Sequence, residues 1–138
     1  MTAFIDTAVM MYAAGAAHAL RDPCRQVMLG IREGALVGAT SVEVVQEILH
    51  RYRSIGQADT GRLLAIDAMD TFAPVLPITH AVMRRVPDLA VRYPRLQARD
   101  LVHVATCIHE GITEIISPDR GFDEVAELHR IDPLAFTS

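Results

Sequence analysis

An α/β architecture, with helices packed on a mostly parallel central sheet as an α/β/α sandwich, follows from two observations on this chain. Short extended apolar runs alternate with longer stretches whose apolar residues recur at helical spacing. The breaks between them carry helix punctuation: Ser41 and Thr79 stand before helical stretches, and Gly34, Gly56 and Gly111 stand after them. With 138 residues, 51% of them hydrophobic, the chain can bury a substantial core, and a single domain over residues 1–138 is expected.

Ala3-Phe4-Ile5 reads as a short buried strand. A helix through Val9, Met10 and Tyr12 comes next, then a second from about Pro23 to Glu33, stopped by Gly34. Leu36 to Thr40 predicts the second strand. Ser41 then caps a helix in which Val44, Val45, Ile48, Leu49 and Tyr52 share one apolar face, closed by Gly56. The next helix runs from about Asp59 to Phe72 and carries Leu63, Leu64, Ile66 and Met69. Ala73 to Ile78, with Pro74 and Pro77 at its margins, reads as an edge strand, where a missing N–H is tolerated. Thr79 caps the helical stretch after it, and Val86 to Pro94, with a proline near each end, predicts a helix broken by a turn. Ala98 to Glu110 is a helix with Leu101, Val104, Ala105 and Ile108 inward, ended by Gly111. Thr113 to Ile116 is a strand, Pro118 to Gly121 a turn, Phe122 to Leu128 a short helix, and Arg130-Ile131 a terminal strand.

Composition narrows the function classes. The longest apolar stretch, Ala8 to Ala17, stops at His18, short of the roughly 20 residues that span a bilayer. The start lacks the basic segment of a secretory signal and meets Asp6 at once, so a cytoplasmic protein without a membrane span is expected. Cys24 and Cys107 each sit in an apolar helical pattern and read as small hydrophobes rather than a disulfide framework. A formal charge of −4 gives no global pull on nucleic acid, so any such binding must be local. All 13 basic residues are arginine, which excludes mechanisms that need a lysine and leaves phosphate contacts to guanidinium forks, main-chain N–H groups or metal.

Parallel strands joined by right-handed crossovers place all strand C-termini, and the starts of the following helices, on one edge of the sheet, where ligands bind. Asp6 directly follows the first strand, Asp119 follows the strand ending at Ile116, and Asp100 lies in the first turn of a helix that starts on this edge. Glu47 lies deeper in its helix, beside the apolar face rather than in it. Taken singly, each aspartate is satisfied as a helix cap and Glu47 as an exposed partner of Arg51 four residues on. Taken together, they are costly. Two carboxylates about 4 Å apart at an effective dielectric near 20 repel by roughly 4 kcal/mol, which bound cations remove.

These residues carry a family resemblance. Phe4-Ile5-Asp6-Thr7, Ser41 to Glu47 followed by Ile48-Leu49, Arg99-Asp100 leading into Val102 and Ala105, and Ser117-x-Asp119-x-x-Phe122-Asp123 resemble the PIN-domain nucleases, and most of all the VapC toxins of bacterial toxin–antitoxin pairs. The likeness spans nearly the whole chain. It implies an α/β/α sandwich in which Asp6, Glu47, Asp100 and Asp119 form a catalytic quartet holding Mg²⁺ or Mn²⁺ for RNA cleavage. Ser117, Asp123 and Thr7 would support it, with the Ser117 hydroxyl orienting a ligand or the attacking water. It also implies a protein antitoxin as partner and a homodimer through the helices around Val42 to Tyr52 and Gly61 to Phe72. Single-stranded loops are the expected RNA substrate, since sequence-specific recognition favours unstacked bases.

The residues also suit that chemistry on their own account. Hard divalent ions prefer carboxylate and water oxygens, and such an ion activates water and stabilises a departing oxygen, so no protein nucleophile is needed. Arg84, Arg85, Arg92, Arg95 and Arg99 form the densest basic stretch and could neutralise flanking phosphates, or could be a solvated helix face. Asp100, His103 and Cys107 share one side of a helix, but no fourth residue at ligand spacing supports zinc, and a packed or hydrogen-bonded His103 is the simpler reading. Neither GxGxxG nor a GK[ST] loop occurs. The alternative from another class is a non-catalytic Mg²⁺-binding interaction or signalling module; a phosphoacceptor receiver would need a strand-end lysine that this chain lacks.

Overall fold

The computed structural model describes residues 1–136. Its centre is β1 (Thr2–Ile5), with Phe4 and Ile5 wholly buried, flanked by β2 (Val37–Ala39) and β3 (Glu114–Ile116), while β4 (His129–Ile131) lies outside β3. The order is β2-β1-β3-β4, and each pairing is parallel, with Phe4 opposite Ala39 on one side and Ile115 on the other. Helices pack on the sheet as the α/β/α reading requires. They are α1 (Thr7–Ala14), α2 (Arg21–Arg32), α3 (Val42–Ser54), α4 (Ala58–Thr71), α5 (His80–Met83), α6 (Val86–Arg92) and α7 (Ala98–Glu110), with short 3₁₀ turns at Arg120–Glu124 and Pro133–Phe136.

Local chemistry explains several boundaries. The Ser41 hydroxyl accepts the Val44 N–H at 3.4 Å to cap α3, and Thr79 does the same for Val82 at the start of α5. Gly111, at φ +71°, takes the left-handed conformation that closes α7. Where α4 crosses α3, a Cβ on Gly61 would stand 2.5 Å from the Cβ of Tyr52, so only glycine permits that approach.

Three expectations are corrected. Ala73 to Ile78 is not a strand but a single bridge, Ser41 to Leu76, because prolines at 74 and 77 leave few donors for a ladder. Leu76 still exchanges main-chain hydrogen bonds with Thr40 and Val42, at 2.8 and 3.0 Å. The segment from Val86 is one unbroken helix to Arg92, since Pro87 sits in the first turn where no N–H is needed, and Pro94 lies beyond the end. Phe122 to Leu128 is replaced by the 3₁₀ turn Arg120–Glu124, set by the Asp119 carboxylate accepting the Gly121 N–H at 2.8 Å. Among the described residues, no helix is long and apolar enough to cross a membrane.

The topology makes a crevice. From β1 the chain leaves toward β2 on one side, while from β3 it leaves toward β4 on the other. The connections therefore diverge above the C-terminal ends of β1 and β3, the switch point at which open α/β sheets bind ligands.

Candidate functional site

Asp6 ends β1 at this crevice, and Ser117 and Asp119 end β3 beside it. Asp6 is 6% exposed, and both its oxygens are used: the Thr7 N–H donates to Oδ1 at 2.8 Å and the Ser117 hydroxyl to Oδ2 at 2.6 Å. Ser117 in turn accepts the Asp119 N–H at 3.0 Å, so one buried hydroxyl ties the end of β1 to the loop after β3.

Glu47 comes from the middle of α3 yet is only 8% exposed, because α1 and α7 close over it. Its Oε1 accepts the Thr7 hydroxyl at 2.9 Å and faces His103 Nε2 at 3.3 Å, while Oε2 faces Arg99 Nε at 3.3 Å. The exposed pairing with Arg51 considered from the sequence is thus replaced by a buried network. His103 is fully buried, 3.7 Å from Asp6 Oδ1 as well, and packs against Phe4 with ring centroids 5.3 Å apart. Its Nδ1 is buried without a hydrogen-bond partner among the described residues.

The electrostatics follow from this crowding. Burial pushes Asp6 up, and the charge of Glu47 adds to it, against the opposing pull of His103 and the Ser117 hydroxyl. Asp100, in the first turn of α7, is raised to about 6 by burial and by the charges of Asp6 and Asp119. Burial also acts to raise Glu47, but the hydrogen bond and charge of His103, with Thr7 and Arg99, hold it below the ordinary range. Burial opposes protonation of His103, yet Glu47, Asp6 and Asp100 together hold its pKa above the usual value.

Glu43 is a participant that sequence reasoning missed. One helical turn before Glu47 on α3, it is partly buried and raised by burial and by the Glu47 charge, with His103 and Arg99 opposing. The signal was available, since residues four apart share a helix face. Asp123, expected to assist, is instead turned to Arg130, with Nε to Oδ1 at 2.8 Å and a second contact at 3.3 Å. Arg130 also donates to the Ser117 carbonyl at 3.0 Å, so the pair braces the loop. Of the arginine stretch, Arg92 and Arg95 are engaged with Glu127 and Glu124, and Arg99 reaches Glu47 in the crevice.

The donor set is chemically suited to a hard divalent ion: carboxylate oxygens in excess over one imidazole and one guanidinium, with Asp6 and Asp100 held above their normal pKa. Among the described residues, no group of three or more His, Cys, Asp or Glu is arranged to hold a metal as it stands, and this includes the Asp100, His103 and Cys107 set. The oxygens of Asp6 and Glu47, and one of Asp119, are turned to internal donors. That does not oppose a Mg²⁺-type ion, which keeps several waters and takes only one or two protein carboxylates directly.

Comparison with known proteins adds likenesses of sequence and of fold. The PIN domain family model matches residues 3–128. Ribonuclease VapC13 of Mycobacterium tuberculosis is 32% identical over 127 residues, covering 92% of this chain and 97% of its own. Ribonuclease VapC23 of the same species is 36% identical over 112 residues, covering 81% and 88%. In fold, a chain of the VapBC2 crystal structure from Rickettsia felis, bound to a DNA fragment from its promoter, superposes with a TM-score of 0.73 at 12% identity, covering 96% of this chain and 98% of that one.

Proposed function

The chain belongs to the PIN-domain family, with VapC ribonucleases as relatives, and from that premise we propose that it is an endoribonuclease toxin that hydrolyses RNA phosphodiester bonds at the crevice above β1 and β3. One observation carries this reading: carboxylates from the ends of β1 and β3, the middle of α3 and the start of α7 converge where the strand connections diverge, and burial together with their mutual repulsion raises Asp100 to about 6.

Asp6, Asp100, Asp119 and Glu47 are the residues that would hold Mg²⁺ or Mn²⁺. A divalent ion bound there supplies Lewis acidity toward the scissile phosphate and an acidified water. The protein's own part is orientation. Ser117 and the Thr7 N–H fix both oxygens of Asp6, Thr7 and His103 fix Oε1 of Glu47, and Asp119 is aimed by its main-chain bond to Ser117. Arg99, 40% exposed at its side chain, is placed to exchange Glu47 for a phosphate of the incoming strand. Asp123 acts through Arg130 on the loop rather than on the metal.

We assign an antitoxin protein as partner by analogy with the VapBC relatives, a cytoplasmic location, and one PIN unit over residues 1–138. A homodimer is supported by the exposed Leu49, Leu63, Ile66 and Met69 on neighbouring helices α3 and α4. The deciding test is RNA cleavage by the purified protein with Mn²⁺ or Mg²⁺. Cleavage should vanish with EDTA and in Asp100→Asn with an unchanged circular dichroism spectrum. Chelator-resistant cleavage would overturn the metal-dependent mechanism, and no cleavage with either metal would overturn the ribonuclease assignment in favour of a non-catalytic binding module.

A further inference from the structure

Beside the acid cluster lies a cavity of about 280 Å³ lined by Ala8, Met11, Tyr12, Glu47 and Arg51. Glu47 belongs to both, so whatever fills the cavity adjoins whatever sits at the acids. We propose that this cavity is a nucleobase subsite, taking one unpaired base of the RNA strand next to the scissile phosphate, with Tyr12 as the stacking surface and Arg51 as the cation for the adjoining sugar–phosphate. The inference rests on the ribonuclease reading above and adds to it where the substrate is gripped.

Three features select a base. First, the chain has no Trp, four Phe and three Tyr. Phe4, Tyr52, Phe72, Tyr93 and Phe122 are buried in the core, which leaves Tyr12 and Phe136 as the aromatic side chains with accessible surface, and of these Tyr12 lines the cavity at the acids. Single-stranded RNA is gripped by stacking splayed bases on such rings. Second, the ring is held in place. His18 packs against it with centroids 4.7 Å apart and planes tilted by 35°, and His18 is itself fixed by the Leu20 N–H donating to Nδ1 at 3.0 Å. Third, the remaining lining is divided as a nucleotide requires. Ala8 and Met11 are apolar, and Arg51, on the exposed side of α3, is the one basic residue among the lining residues. The volume is at the small end for ligand sites, enough for one ring system rather than a stacked pair. A base inside a duplex could not enter, so this subsite restricts the substrate to unpaired segments.

The test uses a fluorescein-labelled pool of short random-sequence single-stranded RNA, with affinity measured on Asp100→Asn protein so that the pool stays intact, and cleavage measured with Mn²⁺ on protein carrying Asp100. Tyr12→Leu should weaken binding roughly tenfold, Tyr12→Phe should retain it, and Arg51→Gln should weaken it while flattening its salt dependence. Ala8→Met, which fills the cavity without touching the ring, should weaken RNA binding to a similar degree and leave Mn²⁺ affinity by calorimetry unchanged; it serves where Tyr12→Leu does not fold. Binding and cleavage by Tyr12→Leu and Ala8→Met that equal those of the parent would overturn the subsite alone. The same result with loss of a protein partner's affinity would reassign the cavity to that partner. A parent protein that neither binds nor cuts the pool removes the ribonuclease reading and this one together.

Discussion

His103 Nε2 stands 3.3 Å from Glu47 Oε1 and 3.7 Å from Asp6 Oδ1, so a single buried imidazole links carboxylates delivered by α3 and by the end of β1. Its environment is unusual for a core ring. One nitrogen faces two acids, and the other has no partner among the described residues. Packing alone does not account for a polar side chain here, because an apolar residue of similar size would avoid the cost of desolvating Nδ1. What the ring contributes is a partner to Glu47 and a site whose protonated form the surrounding acids favour.

Replacing it should therefore act on the metal-free protein most. His103→Leu leaves Glu47 buried with one partner fewer and Asp6 without the neighbouring imidazole, and should lower stability by about 2–3 kcal/mol in EDTA. Saturating Mn²⁺ should restore more of the melting temperature in this variant than in the parent, since the ion then supplies the compensating charge. His103→Gln, which can present an amide N–H toward Glu47, should fall between the two. Scanning calorimetry with and without Mn²⁺ reads this directly, and equal losses in both conditions would reduce His103 to a packing residue.

Asp100 presents the opposite case. Burial and the charges of Asp6 and Asp119 outweigh the opposing pull of His103 and Arg99, which holds its pKa at about 6. Asp100→Asn removes the charge while keeping the shape. It should abolish cleavage yet raise the stability of the metal-free protein, by about 1 kcal/mol after allowance for solvent screening at this half-buried position. The gain should disappear when Mn²⁺ is present. A variant less stable than the parent in EDTA would show that Asp100 is held by contacts other than the repulsive ones.

The same shifts set a pH dependence. Asp100 has a folded-state pKa above its unfolded one, so in the window from about 4 to about 6 the native state binds more protons than the unfolded chain, and Asp6, also raised, acts in the same direction. Stability then falls as pH rises through that window. His103, also raised, adds stability that is complete below about 6.5 and is lost as pH rises past its folded value. Glu47 runs the other way, but its contribution is already complete above its unfolded value of 4.5. In EDTA the protein should therefore be more resistant to urea at pH 5 than at pH 8, and saturating Mg²⁺ should reverse the order because the ion binds the ionised acids. A metal-free stability that climbs between pH 5 and 8 would contradict the burial of these groups.

How far the sequence can be read depends on how local each feature is. The common sheet edge of Asp6, Asp100 and Asp119 is legible because each sits within a few residues of a strand end or helix start, and topology does the rest. Glu47 is harder, since a helical wheel shows only its own helix; its burial comes from Thr7 and His103 on two other elements. The same reason hides Tyr12, whose neighbour Glu47 is distant in sequence, and the Asp123 to Arg130 pair, which needs β4 in place. Glu43 is different: as a same-face neighbour of Glu47 it is legible from spacing alone. The Ala73 to Ile78 segment misleads because its apolar content outweighs its prolines.

Ser117 offers a test of how much the supporting hydroxyl matters. It is fully buried, with its single proton committed to Asp6 Oδ2 at 2.6 Å and a lone pair committed to the Asp119 N–H at 3.0 Å. Ser117→Ala removes both at once. Asp6 then loses a donor that favours its ionised form, so its already raised pKa climbs further, and the Asp119 main chain loses the contact that aims its side chain. Because the ion must displace a proton from a more reluctant carboxylate, the Mn²⁺ concentration for half-maximal cleavage should rise by about tenfold or more. Cleavage at saturating Mn²⁺ should recover in large part, since the ion itself then holds Asp6 ionised. Ser117→Cys, similar in size but a weak donor, should resemble alanine rather than serine. A metal requirement that stays at the parent's value in both variants would show that Asp6 is oriented by the Thr7 N–H alone.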